Sequence, residues 1–326
     1  MSAETLRPAT LRLGSRRSPM AIAQSRIVAD MITERTGRRV EIVGVTTLGD
    51  VSREQLTQIG GTGVFVSALR EALLGGEVDL AVHSVKDLPT APAAGITLAA
   101  VPPRDDPRDA LAAQDGAKLA DLAPGARIGT GSPRRAAQLL ALRGDLRCVP
   151  IRGNAGTRLG KVGDGELDAV VLAYAGLARI GQTGAVTQVF EPDEMLPAPG
   201  QGALAVECRA DEPELAALLR TVTDQASEAA VTAERSLLEA LEAGCSAPIG
   251  AYAAGGEALR MRAAVMSPDG RRVLRAHGGA PAARARQLGW DLAAELLRAG
   301  ASELVSGPQG HGPEEQANSG NDVNER

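Results

Sequence analysis

The spacing of apolar residues changes period repeatedly along this chain, and each change predicts an element. Residues 11–14 read as a short strand that runs into Ser15-Arg16-Arg17-Ser18-Pro19. Ser18 suits a helix N-cap and Pro19 the first helical position. Met20, Ile27, Val28, Met31 and Ile32 share one helical face, and Gly37 is a stop signal. A strand over 40–46, a Gly60-Gly61-Thr62-Gly63 loop and a helix over 64–74 follow. The apolar run 78–82 reads as a buried strand, which breaks without a spacer into His83-Ser84-Val85-Lys86-Asp87-Leu88-Pro89. Strands alternating with helices predict a parallel sheet covered by helices.

The pattern then recurs. Arg127-Ile128-Gly129-Thr130 leads into Gly131-Ser132-Pro133, again strand, loop, serine cap and proline. Gly165-Glu166-Leu167-Asp168 opens an apolar strand as Gly76-Glu77-Val78-Asp79 does. Two signatures in the same order predict two similarly built, doubly wound α/β domains around a cleft, with chance likeness of generic units as the competing reading. The proline-rich stretches 102–107 and 197–202 read as the crossings between them, with a strand at 203–207 after the return. From about residue 224 the character changes to a helix over 228–243, hairpin strands around Pro268-Asp269-Gly270 and a helix over 282–297. The predicted division is therefore 10–102 with 203–222, then 103–202, then a smaller α+β domain at 223–306. The ends, 1–9 and 307–326, are expected to be disordered.

Composition narrows the function. At 326 residues, two or three domains are expected. Aromatic residues make up 2% and the net charge is −5, which argues against a nucleic-acid-binding surface. No apolar run approaches the ~18 residues of a membrane span, and the N-terminus lacks a basic-then-apolar leader pattern, so a cytoplasmic location is expected. Cys148, Cys208 and Cys245 are far apart, as are His83, His277 and His311, so neither a metal site nor a disulfide framework is indicated. Nothing demands more than a monomer.

Arginines carry the candidate chemistry. The only lysines are Lys86, Lys118 and Lys161; the other 32 of the 35 basic residues are arginine. Several arginines cluster in turns: Arg16-Arg17, Arg134-Arg135, Arg152-Gly153-Asn154 and Gly156-Thr157-Arg158, with Arg179 beyond a strand. Guanidinium forks bind carboxylate or phosphate bidentately. The chain has no G-x-x-x-x-G-K-[ST] loop, so carboxylates are at least as good a reading as phosphates. Lys86-Asp87 falls at a strand's carboxyl end, where open α/β sheets bind ligands. It is either a proton-handling pair beside an anion or a solvated loop ion pair. Cys148 and Cys208 sit in apolar strand patterns and read as core thiols. Cys245, in Gly244-Cys245-Ser246-Ala247-Pro248, has room for an attachment or is inert.

Together these motifs resemble the porphobilinogen deaminase family, also called hydroxymethylbilane synthases. The resemblance rests on Ser15 to Pro19, Ala81 to Pro89, and Gly129-Thr130-Gly131-Ser132-Pro133-Arg134-Arg135. It continues through Ile151 to Arg158, Leu196-Pro197-Ala198-Pro199-Gly200-Gln201-Gly202 and Gly244 to Gly250, in order over about residues 10 to 306. It implies two periplasmic-binding-protein-like domains plus a smaller third. It also implies joining of four porphobilinogen molecules head to tail into hydroxymethylbilane, with ammonia released at each step. The family's dipyrromethane cofactor, held by a thioether, falls on Cys245, and its catalytic aspartate on Asp87. Ser84, Lys86, Asp87, Thr130, Ser132, Arg134 and Arg135 would hold the cofactor. Arg16, Ser18, Gln24, Arg152, Arg158 and Arg179 would hold substrate or the growing chain. Each pyrrole brings an acetate and a propionate, which suits a cleft of arginines.

The chain departs from the family pattern at Thr62, where the loop usually carries a lysine. It departs more mildly at Gly131, where many relatives have a small hydroxyl residue, and at Ala243-Gly244. Rival readings are a non-catalytic anion-binding protein, a degenerate deaminase that binds without turnover, and an arginine-rich RNA binder. Asp87 with Cys245 argues against the first, and the acidic balance against the last.

Overall fold

A computed structural model describes residues 10–45, 63–242 and 247–305. Thr62, Gly244 and Cys245, with both chain ends, lie outside the described residues.

The local signals at the start hold. Strand β1 (Leu11–Ser15) feeds helix α1 (Pro19–Thr36), where the Ser18 hydroxyl accepts from the Ala21 N–H at 3.2 Å. Gly37, at φ +69°, ends α1 in the left-handed conformation, its N–H donating to Thr33 O. Then come β2 (Val40–Gly44), α2 (Gly63–Leu74) and β3 (Leu80–Ser84). The last begins two residues later than the apolar run suggests. Asp79 binds Arg12 through its N–H and its carboxylate, and pairing with β1 starts only at Leu80 opposite Leu13. Val85–Asp87 follows as a single 3-10 turn, then β4 (Ile96–Ala100).

After the first crossing come β5 (Asp109–Ala113), β6 (Arg127–Gly129), α3 (Pro133–Leu142), β7 (Arg147–Val149), α4 (Ala155–Gly163), β8 (Ala169–Ala173), α5 (Tyr174–Arg179) and β9 (Gln188–Val189). The return crossing leads to β10 (Leu204–Arg209) and α6 (Pro213–Arg220). Two five-stranded sheets result, ordered β2-β1-β3-β10-β4 and β7-β6-β8-β5-β9. In each, four strands run in one direction, and the first strand after a crossing runs against them. This is the predicted pair of similarly built α/β domains.

The first sheet buries Leu13, Leu80, Val82 and Val206 against Val28 and Ile32 of α1. Each such side chain contributes roughly 1.5–3 kcal/mol when fully removed from water. The second buries Leu111, Ile128, Val171 and Phe190 on one face, and Ala110, Val170 and Leu172 on the other. A charge inside this apolar frame needs a partner, and the crossings supply several. Arg104 forks onto the fully buried Glu234 at 2.7 and 3.0 Å, and its Nε donates to Gln201 O. Gly202, at φ +87°, lies so near Asp105 that an added Cβ would stand 2.5 Å from its carbonyl oxygen. The two crossings are thus stitched side by side.

The third part packs α7 (Gln225–Ala240) and α8 (Ala285–Arg298) against a sheet of β11 (Ile249–Gly255), β12 (Ala258–Met266) and β13 (Val273–Pro281), with α9 (Ala301–Val305) at its end. Helix α7 begins three residues earlier than its apolar period predicts, because Asp224 caps it through Ser227 N–H at 2.7 Å. Gly289 lets α8 approach α7 closely; a Cβ there would meet Ala233 O at 2.2 Å. Among the described residues no helix is long and apolar enough to cross a membrane, and no group of three or more His, Cys, Asp or Glu could hold a metal ion.

Candidate active site

The strand ends of the two α/β domains open on one cavity of about 780 Å³, within the size range of small-molecule sites. From the first domain Arg16, Ser18, Gln24, Ser84, Lys86 and Asp87 line it. From the second come Arg135, Arg158 and Arg179. Four expected site residues lie elsewhere. Thr130 is buried, its hydroxyl accepting from Ser132 N–H at 3.2 Å, and the Ser132 hydroxyl caps α3 through Arg135 N–H. Arg134 points into the protein, where Nη1 meets Asp109 Oδ2 at 2.7 Å and Leu196 O at 2.5 Å. Arg152 is exposed on the loop before α4.

Charge in the cavity wall is lopsided. Arg16, Lys86, Arg135, Arg158 and Arg179 face Asp87, which is the single carboxylate among the described lining residues. Behind the wall sits Asp109, fully buried at the start of β5. It accepts from Arg134 Nη1 at 2.7 Å, Arg135 Nε at 2.9 Å and Gln201 Nε2 at 2.9 Å. Burial alone would raise its carboxyl, but the two guanidinium groups and the amide more than offset this and hold it well below the usual carboxylate range. Gln201 Oε1 in turn faces Arg135 Nη2 at 3.3 Å and Lys86 Nζ at 3.5 Å. Protein packed around Lys86 pushes its ammonium down to about 8; Asp87 and Asp109 work against that push, while Arg135 and Arg134 add to it.

The other arginines are held by backbone as well as by charge. Arg158 Nε donates to Gly153 O at 2.9 Å, and burial with nearby Arg135 lowers its affinity for a proton. Arg179 donates Nε to Asp105 Oδ2 and Nη2 to Gly202 O. Helix α1 brings Ser18 and Gln24 to the same wall, and α4 opens there on an Asn154 cap.

Asp109, Gln201 and Asp105 are the site-supporting residues that the sequence reading passed over. A signal existed for the first: an acid directly abutting the apolar stretch Ala110 to Ala113. An amide between two glycines, Gly200-Gln201-Gly202, was a weaker one.

A cleft between two α/β domains, with one carboxyl group among five cations in its described lining, defines a class of α/β protein suited to an anionic ligand. Likeness to known proteins narrows that class to a family. Residues 11–217 match the family model described as porphobilinogen deaminase, dipyromethane cofactor binding domain, and residues 229–298 match the porphobilinogen deaminase C-terminal domain. The porphobilinogen deaminase of Thermobifida fusca is 60% identical over 305 residues, covering 90% of this chain and 95% of that protein. Porphobilinogen deaminase 1 of Streptomyces coelicolor is 55% identical over 309 residues, covering 90% and 97%. The chain belongs to the porphobilinogen deaminase family and carries its dipyrromethane-cofactor-binding domain.

Proposed function

We propose that this chain condenses four porphobilinogen molecules head to tail into hydroxymethylbilane, releasing ammonia at each step, in tetrapyrrole biosynthesis. The observation that carries this reading is the cleft wall of five cations around Asp87. The same wall fits a dipyrromethane, whose acetates and propionates would meet Ser84, Lys86 and Arg135. Thr130, Ser132 and Arg134 read as the frame that fixes Arg135. Arg16, Ser18, Gln24, Arg158 and Arg179 would take the carboxylates of substrate and growing chain, and Arg152 would join them from the loop outside. Cys245 is the proposed thioether position, on the strength of its motif.

When bound, the dipyrromethane supplies the nucleophilic pyrrole carbon. Asp87 gives its proton to the departing amine, so that the C–N bond breaks with its electrons on nitrogen and ammonia leaves. Ionised, Asp87 stabilises the cationic carbon left on the substrate. Asp87 would then recover the α-proton that the attacking pyrrole ring loses as the C–C bond forms, and one water would cleave the finished chain from its primer and supply the hydroxymethyl oxygen. The arginines hold successive rings in register, because misplacement weakens proximity catalysis.

The domain division 10–102 with 203–222, 103–202 and 223–306 is part of this proposal, as are a monomeric state, a cytoplasmic location and the absence of a nucleic-acid partner. The test is incubation with porphobilinogen, read by ammonia release and product absorbance. Asp87→Asn is expected to cut turnover by about 10²–10⁴-fold with folding retained. Intact mass should show a pyrrole adduct that Cys245→Ser abolishes. An unmodified protein that fails to colour with Ehrlich's reagent would overturn the reading.

A further inference from the structure

Arg179 lines the cleft with its Nε and Nη2 donors already engaged. Nε donates to Asp105 Oδ2 at 2.8 Å and Nη2 to Gly202 O at 2.7 Å. The two partners differ in kind. Gly202 offers a buried backbone carbonyl in the return crossing, fixed by the fold. Asp105 offers a carboxylate whose side chain is 46% exposed, against 5% for Arg179. A buried carbonyl is a permanent acceptor. A half-exposed carboxylate can rehydrate as it leaves, and the buried Arg179 would then take its counter-charge from the ligand instead. The crossings do not depend on that side chain either: Asp105 N–H holds Gly202 O at 3.2 Å. Release of the Asp105 carboxylate therefore leaves both the anchor of Arg179 and the pairing of the crossings in place.

We propose that Asp105 is a stand-in carboxylate, which occupies Arg179 in the resting protein and yields it to a carboxylate of the incoming pyrrole. The inference rests on the substrate-cleft reading above and adds to it a positioning residue in the first crossing. It explains how a guanidinium can stay extended toward an acidic ligand without one: Gly202 O fixes one arm of the fork, and Asp105 screens the other. An internal competitor weakens ground-state binding without touching the reacting atoms, so its removal acts on KM and leaves kcat alone.

Steady-state kinetics with porphobilinogen test this. Asp105→Asn is expected to lower KM about two- to five-fold, because the ligand carboxylate replaces one ion pair with another, with kcat unchanged. Asp105→Glu, which keeps the charge, should retain the wild-type KM. Arg179→Gln should raise KM, and adding Asp105→Asn to it should change KM no further. An unchanged or higher KM in Asp105→Asn overturns the proposal. So does an equal drop in the Arg179→Gln background, which would mean that the charge acts on the cleft at long range. Wild-type turnover separates the two levels: its absence removes the parent reading and this one together, whereas normal turnover with an unshifted Asp105→Asn removes this one alone.

Discussion

In the first sheet Asp79 accepts from the backbone N–H and the guanidinium of Arg12; in the second Asp168 accepts from the same two groups of Arg127. Ser18 and Ser132 cap equivalent helices, each followed by proline. The frames match at these points and in strand order. The strand ends do not. Two and three residues beyond β3 stand Lys86 and Asp87; at the same offsets beyond β8 stand Ala175 and Gly176. The buried acids differ likewise. Asp109 lies opposite Ala173 at the cleft end of β8, whereas the corresponding residue opposite Ser84 is Leu204. The first domain's buried acid, Glu207, sits deeper, opposite Ala81, and binds Arg70 at 2.6 Å with His83 Nε2 at 3.2 Å. One frame therefore serves two tasks: the first domain presents Asp87, the acid proposed above to handle protons, and the second sets its buried acid on Arg134 and Arg135 behind the cleft wall.

Removing each buried acid is the strongest way to break that contrast. Asp109→Asn leaves Arg134 and Arg135 buried without their counter-charge and is expected to cost about 3–5 kcal/mol, measured by urea unfolding. Glu207→Gln strands only one arginine beside a histidine and should fall at the lower end of that range. Their kinetic effects should separate more sharply. Arg135 lines the cavity, so Asp109→Asn should also raise KM several-fold, while Glu207→Gln leaves KM within two-fold. Equal KM effects would mean that the first domain's acid supports the cleft as directly as the second's.

Acid sensitivity sharpens the same comparison with a smaller effect. Burial pushes the Glu207 carboxyl up, but hydrogen bonds and charge from His83 and Arg70 outweigh it and bring it down to about 2. A carboxyl lowered on folding binds fewer protons in the native than in the unfolded state, so stability rises with pH across the gap. The Glu207 contribution is complete above its ordinary value near 4.5 and is lost as pH falls toward about 2. It amounts to on the order of 3 kcal/mol. The stability gap between wild type and Glu207→Gln should therefore close over that interval. A gap that persists at about pH 2 would assign the loss in Glu207→Gln to packing rather than to charge.

What was legible in the chain, and what was not, follows the range of the interactions. Helix starts at Ser18-Pro19 and Ser132-Pro133 are fixed by neighbours three residues apart, and the sequence shows them directly. The start of β3 depends on Asp79 meeting Arg12, 67 residues away, and the apolar run alone misplaces it. Arg134 and Arg135 are adjacent and chemically identical, yet only Arg135 reaches the cavity. A helix turns by about 100° per residue, and the Leu196 carbonyl that draws Arg134 inward arrives from the return crossing. Gln201 carries only a weak signal for the same reason, since its partners Lys86, Pro107 with Asp109, and Arg135 come from three separate segments. Motif resemblance points to Asp87 and Cys245, where spacing and period alone leave the choice open.

The caps give the smallest and most symmetrical test. Ser18→Ala and Ser132→Ala each remove one side-chain acceptor from a helix start, a loss of about 1 kcal/mol. The Ser132 bond is the longer, 3.4 Å against 3.2 Å, so its loss should be the smaller of the two in thermal or urea unfolding. Ligand binding should divide them the other way round from the buried acids. Ser18 faces the cavity and Ser132 does not, so only Ser18→Ala should also raise KM for porphobilinogen, by a few-fold. A matching rise in Ser132→Ala would bring the start of α3 into the ligand site and make the two serine caps functional as well as structural equivalents. With KM unmoved, Ser132 serves the second domain only by setting the helix from which Arg135 reaches the cleft.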